Sequence, residues 1–303
     1  MMNQPKLIVI QGPTASGKTS LAVELAKELN CVVISADSRQ FYKELSIGTA
    51  KPSAEEMQGV KHYFIDSHDL QDEVSASQFA TSAAQVIERE FAHQKNVVLV
   101  GGSGLFIQAL CEGLDDIPHD SDLQRELTLQ VEIDGLGILL EELKMKDEGY
   151  FNQVDSNNPL RVIRAIEAMR LSGKTMTELR KGNKQARYEN IYYFTIDLPR
   201  EELYARINSR VDAMMLAGLE EEARRVFHMR QLKSLQTVGY RELFDFFEGK
   251  TTREKSVELI KQHSRNYAKR QITWFKSHQP GVYLKGSLSS NLIEIKSNFT
   301  IEK

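Results

Sequence analysis

The sequence predicts an α/β protein, in which a parallel sheet is flanked by helices and a helical domain is inserted in the middle of the chain. Three observations lead to this prediction. Short apolar runs alternate with stretches of helical periodicity, a glycine-rich loop joins the first run to the first helix, and strand signals stop over a long middle stretch. Continuous apolar runs are typical of strands buried on both faces, and their alternation with helices is typical of parallel sheets.

Buried strands are predicted where a short apolar run is bounded by polar residues or glycine, at 7–10, 31–35, 97–100 and 191–196. The helix after the first run is predicted from leucines at every fourth position, which share one helical face. A second helix is predicted before the strand at 97–100, from the apolar residues Phe79, Ala83, Val86 and Ile87. A long helix is predicted to open at Thr251, which has capping-box spacing with Glu254, and to end near residue 278.

The middle of the chain is predicted to form a helical insertion. Short polar helices are expected to begin near Asp122 and Leu136. Another helix is expected between Asn158, an N-cap followed by Pro159, and Gly173, which can end it. The predicted core therefore comprises residues 1–116 and 190–285. The predicted insertion comprises residues 117–189, and residues 286–303 are predicted to form a loosely ordered tail.

The composition is that of an ordinary globular protein. Of 303 residues, 41% are hydrophobic and 27% charged, and the formal net charge is −3. No apolar run approaches the roughly 20 residues of a membrane-spanning helix, and the first strand leaves no room for a signal peptide before it, so a cytoplasmic protein without membrane association is expected. Cys31 and Cys111 lack metal-binding spacing, so neither zinc nor a disulfide is predicted. A monomer is the default expectation, because no zipper-like repeat is recognisable.

Positive charge is concentrated in two stretches, although the net charge is negative. Either stretch could be a solvated helix face or one side of a nucleic-acid cleft. One is the acid-free run at 261–276, and the other lies mostly in the predicted insertion, at Arg161, Arg164, Arg170, Lys174, Arg180, Lys181, Lys184 and Arg187.

The loop between the first strand and the first helix fits the pattern G-x-x-x-x-G-K-[ST] in full. Its backbone N–H groups and the positive end of the following helix would bind phosphate, Lys18 would add a charge, and Thr19 would ligate Mg²⁺. The sheet is therefore predicted to be of the P-loop NTPase-like type. The residues predicted to bind the phosphate groups are Gly12, Pro13, Thr14, Ala15, Ser16, Gly17, Lys18 and Thr19.

A P-loop does not decide which reaction is catalysed. Enzymes that hydrolyse nucleoside triphosphates have an acid at the end of a second buried strand, whereas the run at 97–100 leads into Gly-Gly-Ser-Gly. The acid so placed is Asp37, beyond the strand at 31–35, at the edge where open α/β sheets bind ligands. Asp37 is predicted to hold metal in an ATP-using P-loop small-molecule kinase, or to act as a general base; a turn or cap role is the alternative without chemistry.

Longer motifs narrow these alternatives. They are G-P-T-A-S-G-K-T at 12–19, D-S-R-Q-F-Y at 37–42 with I-G-T-A-K-P at 47–52, V-G-G-S-G-L-F at 100–106, R-V-I-R-A at 161–165, S-G-K-T at 172–175, V-G-Y at 238–240 and K-R-Q-I-T-W at 269–274. In form and order they resemble the tRNA dimethylallyltransferase family, also called tRNA isopentenyltransferases, over about residues 6–278. That family usually has Thr where Ser103 stands, and Ser103 keeps the hydroxyl.

The resemblance implies transfer of a dimethylallyl group from dimethylallyl diphosphate to N6 of the adenosine 3′ of a tRNA anticodon, with release of diphosphate and with Mg²⁺. It implies three catalytic residues: Lys18 at the leaving group, Asp37 as the base for the amine, and Ser103 as a hydroxyl partner. Arg161 is also assigned to the diphosphate. The residues assigned to the tRNA anticodon stem-loop are Asp37, Ser38, Arg39, Gln40, Ser103, Arg125, Arg161, Val162, Ile163, Arg164, Ala165, Gln236, Gly239, Tyr240, Arg241, Lys269, Arg270, Gln271 and Lys276.

Overall fold

The computed structural model of the protein describes residues 4–180, 186–278 and 281–300. Its central feature, within these residues, is one six-stranded sheet in which every neighbouring pair is parallel. The strands are β1 (Lys6–Gln11), β2 (Val33–Ser35), β3 (His62–Tyr63), β4 (Asn96–Gly101), β5 (Ile191–Ile196) and β6 (Val282–Leu284). Their order across the sheet is β3-β2-β4-β1-β5-β6. All strands therefore end at the same edge, where β1 and β2 lie on either side of β4.

Helices connect the strands and form the insertion. In chain order they are α1 (Lys18–Leu29), α2 (Ala54–Met57), α3 (Ala76–Phe91), α4 (Gly104–Cys111), α5 (Ser121–Asp134), α6 (Gly137–Lys146), α7 (Glu148–Phe151), α8 (Pro159–Ser172), α9 (Met176–Leu179), α10 (Arg200–Leu216), α11 (Leu219–Val226), α12 (Tyr240–Phe247), α13 (Arg253–His278) and α14 (Leu288–Thr300). Two short 3₁₀ helices lie at Phe227–Met229 and Lys233–Leu235.

The sheet is buried on both faces, as the continuous apolar strands predict. Alternate side chains of a strand point to opposite faces, so Leu7 and Val9 of β1 pack with α3 and α4, whereas Ile8 and Ile10 pack with α1 and α14. The prediction of a parallel α/β sheet is confirmed. The two edge strands β3 and β6 were not predicted, because they are only 2 and 3 residues long and carry no periodic signal.

Two local expectations differ from the structure. The cap of α13 is Thr252, whose Oγ1 accepts the N–H of Lys255 at 3.2 Å, one residue later than predicted. The segment from residue 286 to 300 is not loosely ordered: α14 packs on α1, with Ile295 fully buried and Lys296 paired with Glu28 at 2.6 Å. The reason is that apolar residues recur at helical spacing among the polar residues of this segment.

The chain divides into two compact units, one of Met1–Cys111 with Arg187–Lys303 and one of Glu112–Ala186; the predicted insertion spanned 117–189. The smaller unit has its own apolar core, contributed by α5, α6, α8 and α9. Its helix α8 begins at the predicted cap, because Asn158 Oδ1 accepts the N–H of Arg161 at 3.3 Å, and it ends at Gly173. Lys181 and Lys184 of the basic stretch lie outside the described residues. Over the described ranges, none of the helices is both long enough and apolar enough to cross a membrane.

Candidate active site

A cavity of about 570 Å³ lies at the carboxyl edge of the sheet, within the larger unit. Seven segments of the chain line it: the P-loop with the start of α1, the end of β2 with the segment after it, the stretch leading into α2, the end of β4, one face of α10 with the start of α11, the turn before α12, and one face of α13. The predicted residues Lys18, Asp37 and Arg270 are among its lining residues. Ligands of open parallel sheets bind at this edge, so the cavity is the candidate active site.

The P-loop has the conformation that its glycines allow. Gly12 and Gly17 have φ angles of 151° and 90°, a region that favours glycine, and a Cβ on Gly12 would lie 3.1 Å from the carbonyl oxygen of Ile196. Gly17 precedes α1 and offers no side-chain cap, so the first N–H groups of α1 are free of a capping side chain and can bind an anion. Lys18 Nζ donates to the carbonyl oxygen of Pro13 at 2.6 Å.

The donor set of the P-loop fits a phosphate group that carries Mg²⁺. Ser16 Oγ is buried and has no hydrogen-bond partner in the described part of the protein, and a phosphate oxygen would give it one. Thr19 lies in the first turn of α1 and lines the cavity. Mg²⁺ typically takes one or two protein oxygens and completes its shell with phosphate oxygens and water. A single hydroxyl next to a bound diphosphate therefore suits this ion.

Asp37 and Lys18 are oppositely charged groups at the floor of the cavity, and each changes the other's ionisation. Desolvation raises the pKa of Asp37, although the backbone N–H of Arg39, at 3.1 Å, and the charge of Lys18 oppose the rise. Desolvation lowers the pKa of Lys18 to about 7, while Asp37 opposes the decrease and Arg210 adds to it. A carboxylate whose pKa is raised is a stronger base, which suits proton abstraction.

Ser103 is placed beside Asp37 by the end of β4. Its Oγ accepts the N–H of Ser38 at 3.2 Å and donates to Ser38 Oγ at 3.2 Å. Desolvation, and after it the charge of Asp37, raises the pKa of Tyr267 of α13 to about 12. Gly101 makes this approach possible, because a Cβ there would clash with the carbonyl oxygen of Ala36. The glycines that replace the expected acid after β4 thus bring the two strand ends together.

The cavity face of α13 was predicted only in part. Ser264, Tyr267 and Gln271 line the cavity and are spaced so that they share one helical face. Gln271 Oε1 accepts the N–H of Thr14 at 2.8 Å, and its Nε2 donates to the carbonyl oxygen of Gly102 at 2.8 Å. Gln271 therefore ties the P-loop to the end of β4. The helical spacing of Tyr267 with Gln271 was the signal that could have identified Tyr267.

Replacing Gln271 by leucine is expected to lower the free energy of unfolding by about 1 to 3 kcal/mol, because the partly buried N–H of Thr14 and the buried carbonyl of Gly102 lose their partner. Urea denaturation measures the change. Gln262→Leu is the matched control, since Gln262 is exposed on the same helix. Equal losses in the two variants would contradict this role of Gln271.

The other walls contain predicted residues and one that was missed. Gln236, Gly239 and Arg241 line the cavity, whereas Tyr240 is fully buried and its hydroxyl donates to Glu222 at 2.6 Å. Arg210 of α10 also lines the cavity, and burial lowers its pKa. No motif pointed to Arg210, because a single arginine in a charged amphipathic helix has no distinguishing pattern.

The structure places the remaining predicted residues in two settings. Lys269, Arg270 and Lys276 are exposed on α13. In the smaller unit, Arg161 is exposed, Arg125 pairs with Asp122, and Arg164 pairs with the buried Glu167. The side chains of Val162, Ile163 and Ala165 are buried in that unit's own core, so they hold α8 in place and do not form an exposed surface. Their assignment to tRNA stays a prediction.

Comparisons with known proteins agree on one family. The model of the IPP transferase family matches residues 40–278. The chain is 47% identical over 270 residues to the tRNA dimethylallyltransferase of Cytophaga hutchinsonii, covering 89% of each protein. It is 45% identical over 276 residues to tRNA dimethylallyltransferase 1 of Bacteroides fragilis, covering 91% of this chain and 92% of that one.

Solved structures give the same result. The full-length tRNA isopentenylpyrophosphate transferase of Bacillus halodurans superposes with a TM-score of 0.74 at 36% identity, covering 98% of this chain and 96% of that one. A eukaryotic dimethylallyltransferase, captured in crystallographic snapshots acting on tRNA, has a TM-score of 0.85 at 26% identity and covers 99% of this chain and 80% of its own.

Proposed function

This chain belongs to the IPP transferase family of tRNA dimethylallyltransferases, and from this premise we propose that its cavity joins dimethylallyl diphosphate to N6 of the adenosine 3′ of a tRNA anticodon. It is an enzyme of the transferase class that modifies tRNA. The observation that carries the proposal is the position of Asp37 beside Lys18 in one cavity lined by the P-loop. The P-loop suits a leaving diphosphate, and the Asp37 carboxylate suits an incoming amine.

The P-loop would hold the diphosphate through the N–H groups at the start of α1, through the buried hydroxyl of Ser16 and through the Lys18 ammonium. Charge grows on the diphosphate as the bond between its oxygen and the dimethylallyl carbon breaks, and these donors stabilise that charge without rearranging. Mg²⁺, held by Thr19 and the phosphate oxygens, would neutralise further charge. Arg210, at the cavity wall, would face the same ligand.

Asp37 is the proposed base for the adenosine amine. The nitrogen N6 forms a bond to the dimethylallyl carbon as the carbon–oxygen bond breaks, and the proton that N6 loses goes to the Asp37 carboxylate. The backbone N–H of Arg39 and the pair of Ser38 with Ser103 fix this segment. Diphosphate is the other product, so atoms and charge balance without any redox partner.

Several parts of the proposal come from the family resemblance alone. These are the choice of dimethylallyl diphosphate as donor, the assignment of Arg161 to diphosphate, and the assignment of Arg125, Arg164 and residues 162, 163 and 165 to tRNA. The use of Mg²⁺ is supported by the P-loop pattern and by Thr19. The cytoplasmic location and the monomeric state also stay predictions. The exposed cations on α13 support an RNA-binding role, because phosphate contacts dominate the affinity of such proteins.

A transfer assay tests the proposal. The purified protein is incubated with labelled dimethylallyl diphosphate, Mg²⁺ and unmodified tRNA, and we expect label in the RNA on N6 of the adenosine that follows the anticodon. ATP turnover on a small alcohol would instead support the kinase alternative. RNA binding without either reaction would contradict catalysis.

Reversing the charge of Lys269 and Arg270 together is expected to weaken tRNA binding and to lower the slope of log affinity against log salt concentration by roughly 1 to 2, because two phosphate contacts are lost. The affinity for the diphosphate donor should fall less than the affinity for tRNA, because, of these two residues, only Arg270 lines the cavity. Filter binding over a salt series measures both quantities. Lys255→Glu is a control on the same helix, since Lys255 is also exposed, and an unchanged slope in the double variant would remove this face of α13 from the interface.

A further inference from the structure

Glu222 of α11 is buried and does not line the cavity, yet its carboxylate accepts four hydrogen bonds. Oε2 accepts the N–H groups of Ser46 at 3.0 Å and Ile47 at 2.9 Å. Oε1 accepts the N–H of Gly48 at 2.9 Å and the hydroxyl of Tyr240 at 2.6 Å. Each oxygen thus has two donors, which is the arrangement that makes a buried carboxylate tolerable.

The four donors come from two different walls of the cavity. The loop 46–51 supplies three of them, and its residues Gly48, Thr49, Ala50 and Lys51 line the cavity. Tyr240 supplies the fourth and begins α12 directly after the lining segment 236–239. One side chain behind the cavity therefore fixes the position of one wall relative to the next.

The packing at Gly48 shows how close this contact is. A Cβ on Gly48 would lie 2.6 Å from the Tyr240 ring and hydroxyl, so the loop rests directly on the ring whose hydroxyl binds Glu222. The loop is also closed on itself, because the N–H of Lys51 donates to the carbonyl oxygen of Ser46 at 3.0 Å. A closed loop moves as one body, so whatever holds its first residues also places its last ones.

The loop in turn contacts the segment that carries Asp37. Gln40 Nε2 donates to the carbonyl oxygens of Thr49 at 3.4 Å and Ala50 at 3.2 Å. Gln40 Oε1 accepts the hydroxyl of Ser35, at the end of β2, at 3.2 Å. A continuous chain of hydrogen bonds therefore leads from Glu222 through the loop to Gln40, three residues from Asp37. The bonds of Lys18 and of Thr14 in the P-loop do not involve it.

We propose that Glu222 is a positioning residue for the RNA acceptor: it holds the loop 46–51, and through Gln40 it fixes the side of the cavity where the adenosine enters. This inference rests on the proposed function and deepens it. Because the chain of contacts bypasses the P-loop, Glu222 should matter for the acceptor and not for the diphosphate donor.

The test compares Glu222→Gln with Glu221→Gln, which removes the same charge from an exposed neighbour on α11. In Glu222→Gln, the amide that replaces the carboxylate would point N–H groups at N–H donors, so the loop loses part of its support. We expect kcat/KM for tRNA to fall about 10- to 100-fold in Glu222→Gln, since a displacement of about 1 Å can cost 10²-fold, while the affinity for pyrophosphate stays that of the wild type. Glu221→Gln should match the wild type in both.

Two further measurements keep the inference open to disproof. Tyr240→Phe removes only the hydroxyl that reaches Glu222, and it should change kcat/KM for tRNA in the same direction by a smaller factor. Hydrogen exchange of the amides at 46, 47 and 48 should be faster in Glu222→Gln than in Glu221→Gln, whatever the reaction is. Unchanged exchange, or equal losses of tRNA and pyrophosphate affinity, would overturn the inference. A wild-type protein that transfers nothing to tRNA would overturn the proposed function and leave the exchange result to decide the role of Glu222 in the loop.

Discussion

Replacing Asp37 by asparagine is expected to lower the rate of the chemical step by about 10²- to 10⁴-fold, the usual contribution of a positioned general base. The amide keeps the shape of the side chain and an oxygen for the N–H of Arg39, but it cannot accept the proton of the amine. Single-turnover transfer from the bound donor to tRNA measures this step. Pyrophosphate affinity should change little, because the P-loop is left intact.

The pH dependence of kcat/KM tests the role of Asp37 independently. Burial raises the pKa of Asp37, and only the deprotonated carboxylate can take a proton, so kcat/KM should fall as the pH decreases through that raised pKa. The variant should lose this acid limb. Asp69→Asn is the control, since Asp69 is exposed and pairs with Lys43. An Asp37→Asn protein that binds pyrophosphate poorly but reacts at the normal rate would show that Asp37 is not the base.

Replacing Lys18 by alanine is expected to reduce kcat/KM for the diphosphate donor by about 10²- to 10³-fold, because a preorganised charge at the leaving group is lost. Part of the effect should appear as weaker pyrophosphate binding. Isothermal titration of pyrophosphate and steady-state kinetics separate the two contributions. Normal donor kinetics in the alanine variant would contradict the assignment of the P-loop to the diphosphate.

The pH dependence of diphosphate binding tests the role of Lys18 more directly. Burial lowers the pKa of Lys18 to about 7 in the free protein, so its charged fraction falls as the pH rises above that value. Diphosphate favours the charged form, and its apparent affinity should therefore decrease above about pH 7, by up to roughly tenfold per pH unit. Lys18→Arg is the comparison, because arginine stays charged and the ionisations of the ligand are common to both proteins. Identical pH profiles would show that Lys18 is already charged in the free site.

The sequence predicted the central strands of the sheet better than its edge strands and the C-terminal helix. The central strands β1, β4 and β5 are continuous apolar runs because both faces of the sheet are covered, and that pattern is visible without neighbours. The edge strands β3 and β6 are too short for any period, and their pairing depends on where the rest of the sheet lies. The helix α14 was not predicted for a related reason. It is stabilised by its contact with α1, and that contact is not visible in the local sequence.

The residues of the candidate site also differ in how far the sequence predicts them. The P-loop and Asp37 are local: a glycine pattern and an acid after a strand predict them directly. Arg210, Tyr267 and Glu222 are brought in by α10, α13 and α11, from distant parts of the sequence. Their roles arise from where the fold places them: Arg210 and Tyr267 line the cavity, and Glu222 accepts N–H groups of the loop 46–51. A charged residue in an amphipathic helix carries no sign of such contacts.

The most direct measurement is a structure of the protein bound to an anticodon stem-loop RNA and to an unreactive donor analogue that has sulfur in place of the bridging oxygen. The account predicts the diphosphate on the loop at 12–19, and the Asp37 carboxylate within hydrogen-bond reach, about 2.6 to 3.2 Å, of N6 of the adenine. A carboxylate turned away from the adenine, or a nucleoside triphosphate that binds where the RNA should enter, would contradict it.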